Sequence, residues 1–544
     1  MFGFFERQRL VKRGFAASKQ RRRRTDSEWQ QTLEYGPLAK ALVCIGFLTG
    51  LAALLLTGPV AQRPEKLLIA LLIFLTALAQ LWINHPKTFD RNSRLLLMFV
   101  VILLHLGLVK FALGFAVSQG QMSGGELSGF ERKDIWDLAV PYAFGPLLLS
   151  VLFGRNHGIF AAIYVSLWGS MFGFAIDPQL LVMSLICGFI AVFVTLQVRR
   201  RSRLIRAGFF VGLATLLLAM LFGKILVVQL AGVVAPNWEV FGWQVLAAVL
   251  SGVVPALLIS GALPIFEGLF GITTEISWIE MADLNHPLLK RMMIEAPGTY
   301  QHSLVVATLA EAACETIGAN ATMARVCSYF HDIGKLIKPD YFTENMRHGR
   351  NPHDELAPTM SALIIVAHVK EGVDLALKYN LCQEIVDVIQ QHHGTTLVFY
   401  FYKRALQQQE DARAGGKIMN IREEDIPDVR EESFRYSGPR PQARECAVIS
   451  LADCIESASR SLERVTPQKI DQLIRDIIDK RLVDGQLKEC DLTMRELEEV
   501  CESFRNTLQS MMHSRIAYPE DTKPTKSGLH QPPSSKTRAP MSAA

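Results

Sequence analysis

Residues Ser328-Tyr-Phe-His-Asp-Ile-Gly-Lys335 are the starting point for interpreting this chain. They place His331 beside Asp332, directly after an apolar run and just before Gly334. Adjacent side chains on a helix point about 100° apart, so these two converge only on an object that lies between their directions. A pair of metal ions is such an object, because an imidazole binds one ion while the two oxygens of a carboxylate bridge both. The motif therefore predicts a dinuclear metal centre.

For an isolated His-Asp pair, a solvated or capping role is the simpler interpretation, but this pair is accompanied by further candidate ligands. Each of them stands within or at the end of an apolar helical pattern, where an unpaired polar group is costly to bury. Metal ligation would satisfy all of them together. These additional residues are His302, His368, His392, His393 and Asp453.

The composition indicates a membrane protein with several domains. Half of the 544 residues are hydrophobic, and the apolar excess is concentrated between about residues 38 and 270. Such a chain is too apolar for an ordinary soluble protein. Its nine cysteines include no Cys-x-x-Cys pair, which argues against a zinc knuckle or a disulfide framework. We expect these cysteines to be reduced.

Residues 1–37 form a polar, basic arm that contains the run Arg21–Arg24. The first long apolar segment begins near Leu38 and no small-residue cleavage site follows it, so we expect no cleavable signal peptide. The basic run could bind nucleic acid, but contact with anionic lipid on the cytoplasmic side is the simpler interpretation. We therefore expect the lipid bilayer as a partner, and no nucleic acid polymer.

Eight apolar segments approach or exceed the roughly 20 residues that a helix needs to cross the hydrocarbon core of a bilayer. Basic residues cluster in the N-terminal arm and around residues 87–94 and 199–206, which share one side if both chain ends are cytoplasmic. An even number of spans agrees with that orientation, and we expect a multi-pass protein of the plasma membrane. The predicted spans are about 38–60, 67–84, 95–117, 136–153, 158–175, 179–197, 207–230 and 240–270.

Few ionisable residues lie deep within these predicted spans: His105, Lys110 and Lys224. The two lysines can extend toward the membrane interface, and His105 can be hydrogen-bonded inside the helical bundle. No ion path is apparent from these residues. We therefore expect the membrane block to sense or to anchor rather than to transport.

After residue 270 the pattern predicts a juxtamembrane connector over 271–294 and then a cytoplasmic domain over 295–518 that is helical throughout. The predicted fold class is thus all-α, a multi-span transmembrane helical bundle followed by an all-helical domain. Gly394 predicts a helix stop. The polar segment 403–442 is predicted to be an ordered excursion or flap, and the tail 519–544 to be disordered. The predicted helices are 302–316, 321–337, 358–379, 382–393, 444–463, 467–481 and 492–514.

A cluster of His and Asp on a helical scaffold suits divalent iron or manganese, with zinc as an alternative. Two such ions lower the pKa of a water molecule toward neutrality, and the resulting hydroxide can attack phosphorus in line. Lys335 follows His331 by one turn, so we expect its ammonium to reach a phosphate oxygen rather than to remain an exposed surface charge. Asp332 and Lys335 are therefore the candidate catalytic residues. No glycine-rich phosphate loop is present, which argues against a P-loop nucleotide hydrolase.

The ordered set of histidines and aspartates resembles the HD superfamily of metal-dependent phosphohydrolases. More narrowly, the chain resembles the PgpH-like membrane HD phosphodiesterases over roughly residues 136–518, with the most specific similarity across 265–518. The motifs that carry this resemblance are Glu295-Ala-Pro-Gly-Thr-Tyr300, His331-Asp-Ile-Gly-Lys335, Asn351-Pro-His-Asp354, Gln391-His-His-Gly-Thr395 and Phe434-Arg-Tyr-Ser-Gly-Pro439.

This resemblance implies hydrolysis of the cyclic dinucleotide cyclic di-AMP to linear pApA, by a centre of two iron or two manganese ions. It also implies substrate contacts by Tyr300, Lys335 and His393. The ligands that it implies are His302, His331, Asp332 and Asp453 for one ion, and Asp332, His368 and His392 for the other.

The chain departs from the family pattern in three places. Family members usually place a large extracytoplasmic domain between the first span and a block of seven, and Ala61–Lys66 leaves no room for it. Gln301 stands where a second His is common, and Ser437 stands where Pro is common. Neither replacement removes an expected metal ligand, so we expect activity to be retained.

Two other functions remain open from the sequence. One is a phosphohydrolase that acts on another cyclic dinucleotide or on mononucleotides, and the other is a receptor that binds a nucleotide without cleaving it. The loss of a ligand would favour the receptor, and all six expected ligand positions are filled. A homodimer is compatible with a domain tethered in this way.

Overall fold

The computed structural model confirms an all-α fold in the residues that it describes. Those residues contain no β-strand, and one isolated antiparallel bridge joins Leu397 to Arg435. The run Arg21–Arg24 and the predicted tail lie outside the described residues, as does most of the short link after the first span. The described ranges are 28–57, 65–121, 129–173, 175–195, 200–225, 238–346, 351–419, 428–462 and 466–513.

The N-terminal half, which we call the membrane block, consists of apolar helices that pack around an aromatic core. Phe47 contacts Phe99 and Trp168 at ring-centroid distances of 4.5 and 5.3 Å. The helices are α1 (Glu28–Tyr35), α2 (Pro37–Leu56), α3 (Glu65–Asn84), α4 (Pro86–Phe89), α5 (Asn92–Gln121), α6 (Gly129–Leu138), α7 (Phe144–Phe153), α8 (Arg155–Gly169), α9 (Pro178–Val194), α10 (Arg201–Leu221) and α11 (Trp238–Phe270).

Among the described residues, the five helices α2, α3, α5, α10 and α11 are long and apolar enough to cross a membrane. They match five of the eight predicted spans. The predicted span 136–153 is not one helix, because α6 ends at Leu138 and α7 begins at Phe144. Pro141 lies in this break and has no backbone N–H to continue a helix. The predicted spans 158–175 and 179–197 correspond to the shorter helices α8 and α9, which have 15 and 17 residues.

Small residues let α10 and α11 approach each other closely. A Cβ atom added at Gly252 would lie 2.1 Å from the carbonyl oxygen of Gly208, so the two backbones touch where both residues lack a side chain. Gly208 and Gly212 form the small-xxx-small spacing that is typical of packed membrane helices. The long helix α11, which leads to the C-terminal half, is thereby held firmly to the membrane block.

Two ionisable residues inside the membrane block, His105 and Lys110, have hydrogen-bond partners. His105 Nδ1 accepts a hydrogen bond of 3.1 Å from the backbone N–H of Gly145, in agreement with a hydrogen-bonded role. Lys110 donates to the carbonyl oxygens of Leu54 and Thr57 at the end of α2. These contacts satisfy buried polar groups, as the low dielectric of a membrane requires.

The two predicted basic loops face the C-terminal half. Lys87 lies 3.2 Å from Asp491, and Arg201 donates a hydrogen bond of 2.8 Å to Glu280. The ends of the membrane helices that carry these loops therefore share one side with the helices that follow residue 270.

The C-terminal half begins with the connector helix α12 (Glu275–Met281) and continues as a helical domain around one hydrophobic core. The helix α14 lies at its centre and packs against α15, α19 and α21. The helices are α13 (Pro287–Glu295), α14 (Pro297–Thr316), α15 (Ala321–Phe330), α16 (Pro358–Lys378), α17 (Gln383–Gln391), α18 (Phe399–Met419), α19 (Arg444–Ser459), α20 (Pro467–Val483) and α21 (Met494–His513).

Two predicted elements differ from those observed. The predicted helix 321–337 ends as an α-helix at Phe330 and resumes as a 3-10 turn over Ile333–Ile337. The chain turns there because Gly334 packs against α16, where an added Cβ would lie 1.8 Å from the carbonyl oxygen of His368. The predicted polar excursion over 403–442 starts within α18, and residues 420–427 lie outside the described part of the chain.

Candidate metal centre

Five elements of the C-terminal domain bring the predicted ligands together. His331 and His392 are the C-cap residues of α15 and α17, so both follow the last turn of a short helix. Gly394 has φ +54°, which ends α17 directly behind the adjacent histidines. The remaining candidates lie within helices, His302 on α14, His368 on α16 and Asp453 on α19.

The candidate ligand atoms form two groups, and within each group they lie within 4.8 Å of one another. Asp332 belongs to both groups. One group joins Asp332 to His302, His331 and Asp453, and the other joins it to His368, His392 and His393.

The carboxylate of Asp332 presents one oxygen to each group. Its Oδ2 lies 3.2 Å from His331 Nε2 and 3.6 Å from His302 Nε2. Its Oδ1 lies 3.4 Å from His368 Nε2 and 3.7 Å from His392 Nε2. Asp332 could therefore offer one ligand atom to a cation in each group.

Four imidazoles turn the same nitrogen, Nε2, toward the shared aspartate. Their Nδ1 atoms face oxygen acceptors. In His331, His368 and His392 this places the ring hydrogen on Nδ1 and leaves the Nε2 lone pair free, whereas His302 also has a contact of 3.1 Å between its Nε2 and Asp453 Oδ1. The acceptors are Glu456 for His302, the Ser328 carbonyl at 2.7 Å for His331, the Ile365 carbonyl at 2.6 Å for His368, and the Ile389 carbonyl at 2.8 Å for His392. Such outer contacts fix the tautomer of a metal-binding histidine.

The donor atoms fit divalent cations. Among the described residues, His331 Nε2 and Asp332 Oδ1 are buried and have no hydrogen-bond partner. A buried polar atom without a partner is costly, and a cation bound between these atoms would remove that cost. Imidazole and carboxylate donors without thiolates suit iron, manganese or zinc.

Electrostatics keep the carboxylates ionised. Burial alone would raise the pKa of Asp332, but the charges of Lys335 and His331 outweigh it and hold that pKa well below its usual range. Burial would also raise the pKa of Asp453, but the hydrogen bond from His302 outweighs burial and lowers the pKa of this carboxyl. Burial lowers the pKa of His368 to about 4, which keeps this imidazole neutral, the form that binds a metal.

Lys335 lies beside the centre and is held by two carboxylates. Its Nζ is 2.8 Å from Asp332 Oδ2 and 2.8 Å from Glu344 Oε1, and the side chain is largely buried. Burial would lower the pKa of Lys335, but these two carboxylates raise it above its usual value. The ammonium is therefore charged and lies beside Asp332.

The other two predicted substrate contacts differ in their placement. His393 lies at the centre, where its Nδ1 is 3.6 Å from Asp453 Oδ2 and its ring stacks on Tyr436 at 4.3 Å. Tyr300 precedes His302 by two residues, about 200° around α14, and packs against the hydrophobic core. Tyr300 is thus not brought into the ligand cluster.

Three further residues contact the centre without having been predicted to do so. Glu456 accepts from His302 and is paired with Arg460, Glu344 holds Lys335, and Tyr436 covers His393. Glu456 follows Asp453 by three residues on α19, a spacing that puts both carboxylates on one helix face. Tyr436 lies within a motif already noted, but nothing local in the sequence connects Glu344 to the site.

Both halves of the chain resemble known proteins. Residues 61–274 match the family model described as 7TM receptor with intracellular HD hydrolase, and residues 299–458 match the HD domain model. The chain is 38% identical over 396 residues to the cyclic-di-AMP phosphodiesterase PgpH of Bacillus subtilis (strain 168), which covers 71% of this chain and 52% of that protein. It is 37% identical over 398 residues to the protein of the same name from Listeria monocytogenes serotype 1/2a (strain 10403S), covering 72% and 52% respectively.

A solved structure covers the C-terminal domain. It is the crystal structure of the L. monocytogenes phosphodiesterase PgpH HD domain in complex with cyclic-di-AMP, which is 44% identical, covers 42% of this chain and 98% of that chain, and gives a TM-score of 0.37. The chain spans about half the length of the curated relatives that it matches. The first half of the chain thus matches the model described as 7TM receptor with intracellular HD hydrolase, the second half matches the HD domain model, and the chain is similar in sequence to the PgpH phosphodiesterases.

Proposed function

We propose that this chain is a membrane-anchored, metal-dependent phosphodiesterase that hydrolyses cyclic di-AMP to pApA. The observation that carries this proposal is the carboxylate of Asp332, which faces a group of ligand atoms with each of its oxygens. The names of the curated relatives and the cyclic-di-AMP complex of the similar HD domain support the choice of substrate.

The proposed ligands surround Asp332 on both sides, and His393 lies next to the second group, either as a further ligand or as a wall of the substrate site. Two divalent cations at these positions, iron or manganese first and zinc as an alternative, would lower the pKa of a water molecule and neutralise phosphate oxygens. The proposed ligands are His302, His331, Asp332 and Asp453 in one group, and Asp332, His368 and His392 in the other.

The residues of the chain itself supply orientation and charge. Glu456 and the carbonyl acceptors hold each imidazole with Nε2 toward the site. Lys335 keeps Asp332 ionised and in place, and its positive charge favours the approach of an anionic phosphodiester. The rings of His393 and Tyr436 offer an aromatic surface on which a nucleobase can stack.

We further propose that the membrane block covers residues 38–270, that a connector occupies 271–294, and that the HD domain occupies 295–518 at the cytoplasmic face of the plasma membrane. The contacts of Lys87 with Asp491 and of Arg201 with Glu280 support this orientation, because they place both basic loops on the side of the HD domain. Both chain ends would then be cytoplasmic, and reporter fusions to each end check this. Pairing of two chains stays a prediction.

The test uses the full chain in detergent, incubated with Mn²⁺ and separately with cyclic di-AMP, cyclic di-GMP and deoxynucleoside triphosphates. We expect pApA from cyclic di-AMP, and no turnover by the variant that combines His331→Ala with Asp332→Ala. Asp340→Ala, which removes an exposed aspartate from the same segment, is the matched control. Turnover by the double variant at the wild-type rate would exclude the proposed site, and cleavage of another substrate alone would reassign it.

A further inference from the structure

A polar cavity of about 420 Å³ lies where the membrane block meets the C-terminal domain, apart from the metal centre. It is lined by Arg94 near the start of α5, by Gly154 and Arg155 at the start of α8, and by the connector around Thr273. Asn320 and Glu384 close it from the side of the C-terminal domain. The cavity thus lies at the ends of membrane helices, at the level where lipid headgroups meet water.

Two arginines and two glutamates line the cavity, so their formal charges balance, and the kind of ligand depends on which of these groups keep unused donors. The carboxylate of Glu275 accepts a hydrogen bond of 2.7 Å from Asn320, and that of Glu384 accepts one of 3.1 Å from Thr273. Arg94 and Arg155 form no hydrogen bond or ion pair with any described residue. Two guanidinium groups with free donors beside one cavity match the oxygens of a phosphate group.

Two helices lead from this cavity directly to the metal centre. Asn320 is the N-cap of α15, and its side chain accepts a hydrogen bond of 2.8 Å from the N–H of Met323, whereas the C-cap of the same helix is His331. Glu384 lies in the first turn of α17, whose C-cap is His392. Both helices have nine or ten residues and are therefore about 15 Å long. A shift at their first turns would therefore reach ligands of both groups.

The connector joins the last membrane helix to the same two helices. Glu267, near the end of α11, accepts hydrogen bonds from the N–H of Thr274 and from the hydroxyl of Ser277. The connector in turn donates from Thr273 to Glu384 of α17 and accepts at Glu275 from Asn320 of α15. The polar contacts are thus continuous from the membrane helix, past the cavity, to the helices that end in metal ligands.

We propose that this cavity is an effector site for a phosphate group, and that its occupancy adjusts the metal centre through α15 and α17. The phosphate comes either from an anionic lipid headgroup or from a soluble phosphate ester. The effect on hydrolysis rests on the proposed function, whereas binding at the cavity and its effect on metal affinity do not.

The experiment uses the full chain in nanodiscs of phosphatidylcholine, either with phosphatidylglycerol added or with glycerol 3-phosphate in solution. The two measurements are the apparent Kd for Mn²⁺, from the electron paramagnetic resonance signal of the free ion, and the rate of cyclic di-AMP hydrolysis. We expect one of the two probes to change both quantities about fivefold or more, as coupling between two sites typically does. A response to phosphatidylglycerol alone identifies the lipid as the source, and a response to glycerol 3-phosphate identifies a soluble ester.

The variant that combines Arg94→Gln with Arg155→Gln is expected to lose this response while its Mn²⁺ affinity and rate in phosphatidylcholine alone stay at wild-type values. The matched control combines Arg91→Gln with Arg206→Gln, which removes equal charge from exposed positions outside the cavity lining and should keep the response. An unchanged Kd with both probes, or an equal response in the cavity variant, overturns the proposal. A Kd that responds while no cyclic dinucleotide is cleaved upholds the cavity and refutes the proposed function.

Discussion

At the scale of the residue, the centre depends on which nitrogen each imidazole presents. Hydrogen bonds from Nδ1 to backbone carbonyls hold three of the four rings, and no side-chain substitution removes those acceptors. His302 differs because its Nδ1 acceptor is the side chain of Glu456. Burial disfavours the charged form of His302, but hydrogen bonds to Asp453 and Glu456 prevail and raise its pKa to about 9. Glu456 therefore controls how well His302 can bind a cation.

The substitution Glu456→Gln tests this role. It keeps the size of the side chain but removes the charge that orients His302, so we expect the affinity for Mn²⁺ to fall about 10- to 100-fold, as is typical for an outer partner of a metal-binding histidine. Titration of the full chain with Mn²⁺ measures the effect. Glu498→Gln, at an exposed carboxylate that pairs with Arg475, is the control and should leave the affinity unchanged. Equal affinities for both variants would show that Glu456 does not orient His302.

At the scale of the element, the site depends on where helices end. The helices α15 and α17 both stop at a histidine, and the chain after α15 turns sharply so that Asp332 and Lys335 face the same cluster. In this turn Gly334 lies very close to α16. The end of α15 and the middle of α16 therefore fix the distance between the two groups of ligands.

The substitution Gly334→Ala is expected to damage both stability and the metal centre. The new methyl group would lie 1.8 Å from the carbonyl oxygen of His368, so α16 has to move away from the turn. Overpacking of this kind costs about 1–3 kcal/mol, and we expect a lower melting temperature together with weaker Mn²⁺ binding. Gly268→Ala, where an added Cβ meets nothing within 4 Å, is the control. A Gly334→Ala variant that binds Mn²⁺ like the wild type would contradict the close-approach argument.

At the scale of the whole molecule, the buried charges of the centre couple metal binding to folding. Asp332 and Asp453 are buried carboxylates among buried imidazoles, and bound cations would neutralise their charge. The connector joins this domain to the end of α11, and the polar cavity lies at that junction.

Removal of divalent cations by a chelator is expected to lower the melting temperature of the full chain. A cation that binds only the folded state adds about 2.7 kcal/mol of stability at one hundred times its Kd, and chelation removes this contribution. Thermal unfolding in detergent with and without Mn²⁺ measures the change. The variant with His331→Ala and Asp332→Ala should show no such shift, whereas an equal shift in both proteins would place the stabilising cation elsewhere.

Local patterns were enough to predict the all-α class, five of the eight apolar spans and the residues that gather around Asp332. Apolar spacing reports which face of a helix is buried, and polar residues such as His302 and Asp453 stand out against it. Local patterns also made two predicted helices too long. The first continued across Pro141, where the missing backbone N–H breaks the helix, and the second continued across Gly334, where a neighbour distant in sequence determines the turn.

Packing between distant segments settled the rest. Glu456 meets His302 across 154 positions, Glu275 meets Asn320 across 45, and the cavity combines residues from both halves of the chain. The division of the Asp332 oxygens between two groups likewise depends on how α14, α16 and α17 are placed around the end of α15. Periodicity along a chain describes one helix at a time, whereas these contacts arise only when several helices pack against one another.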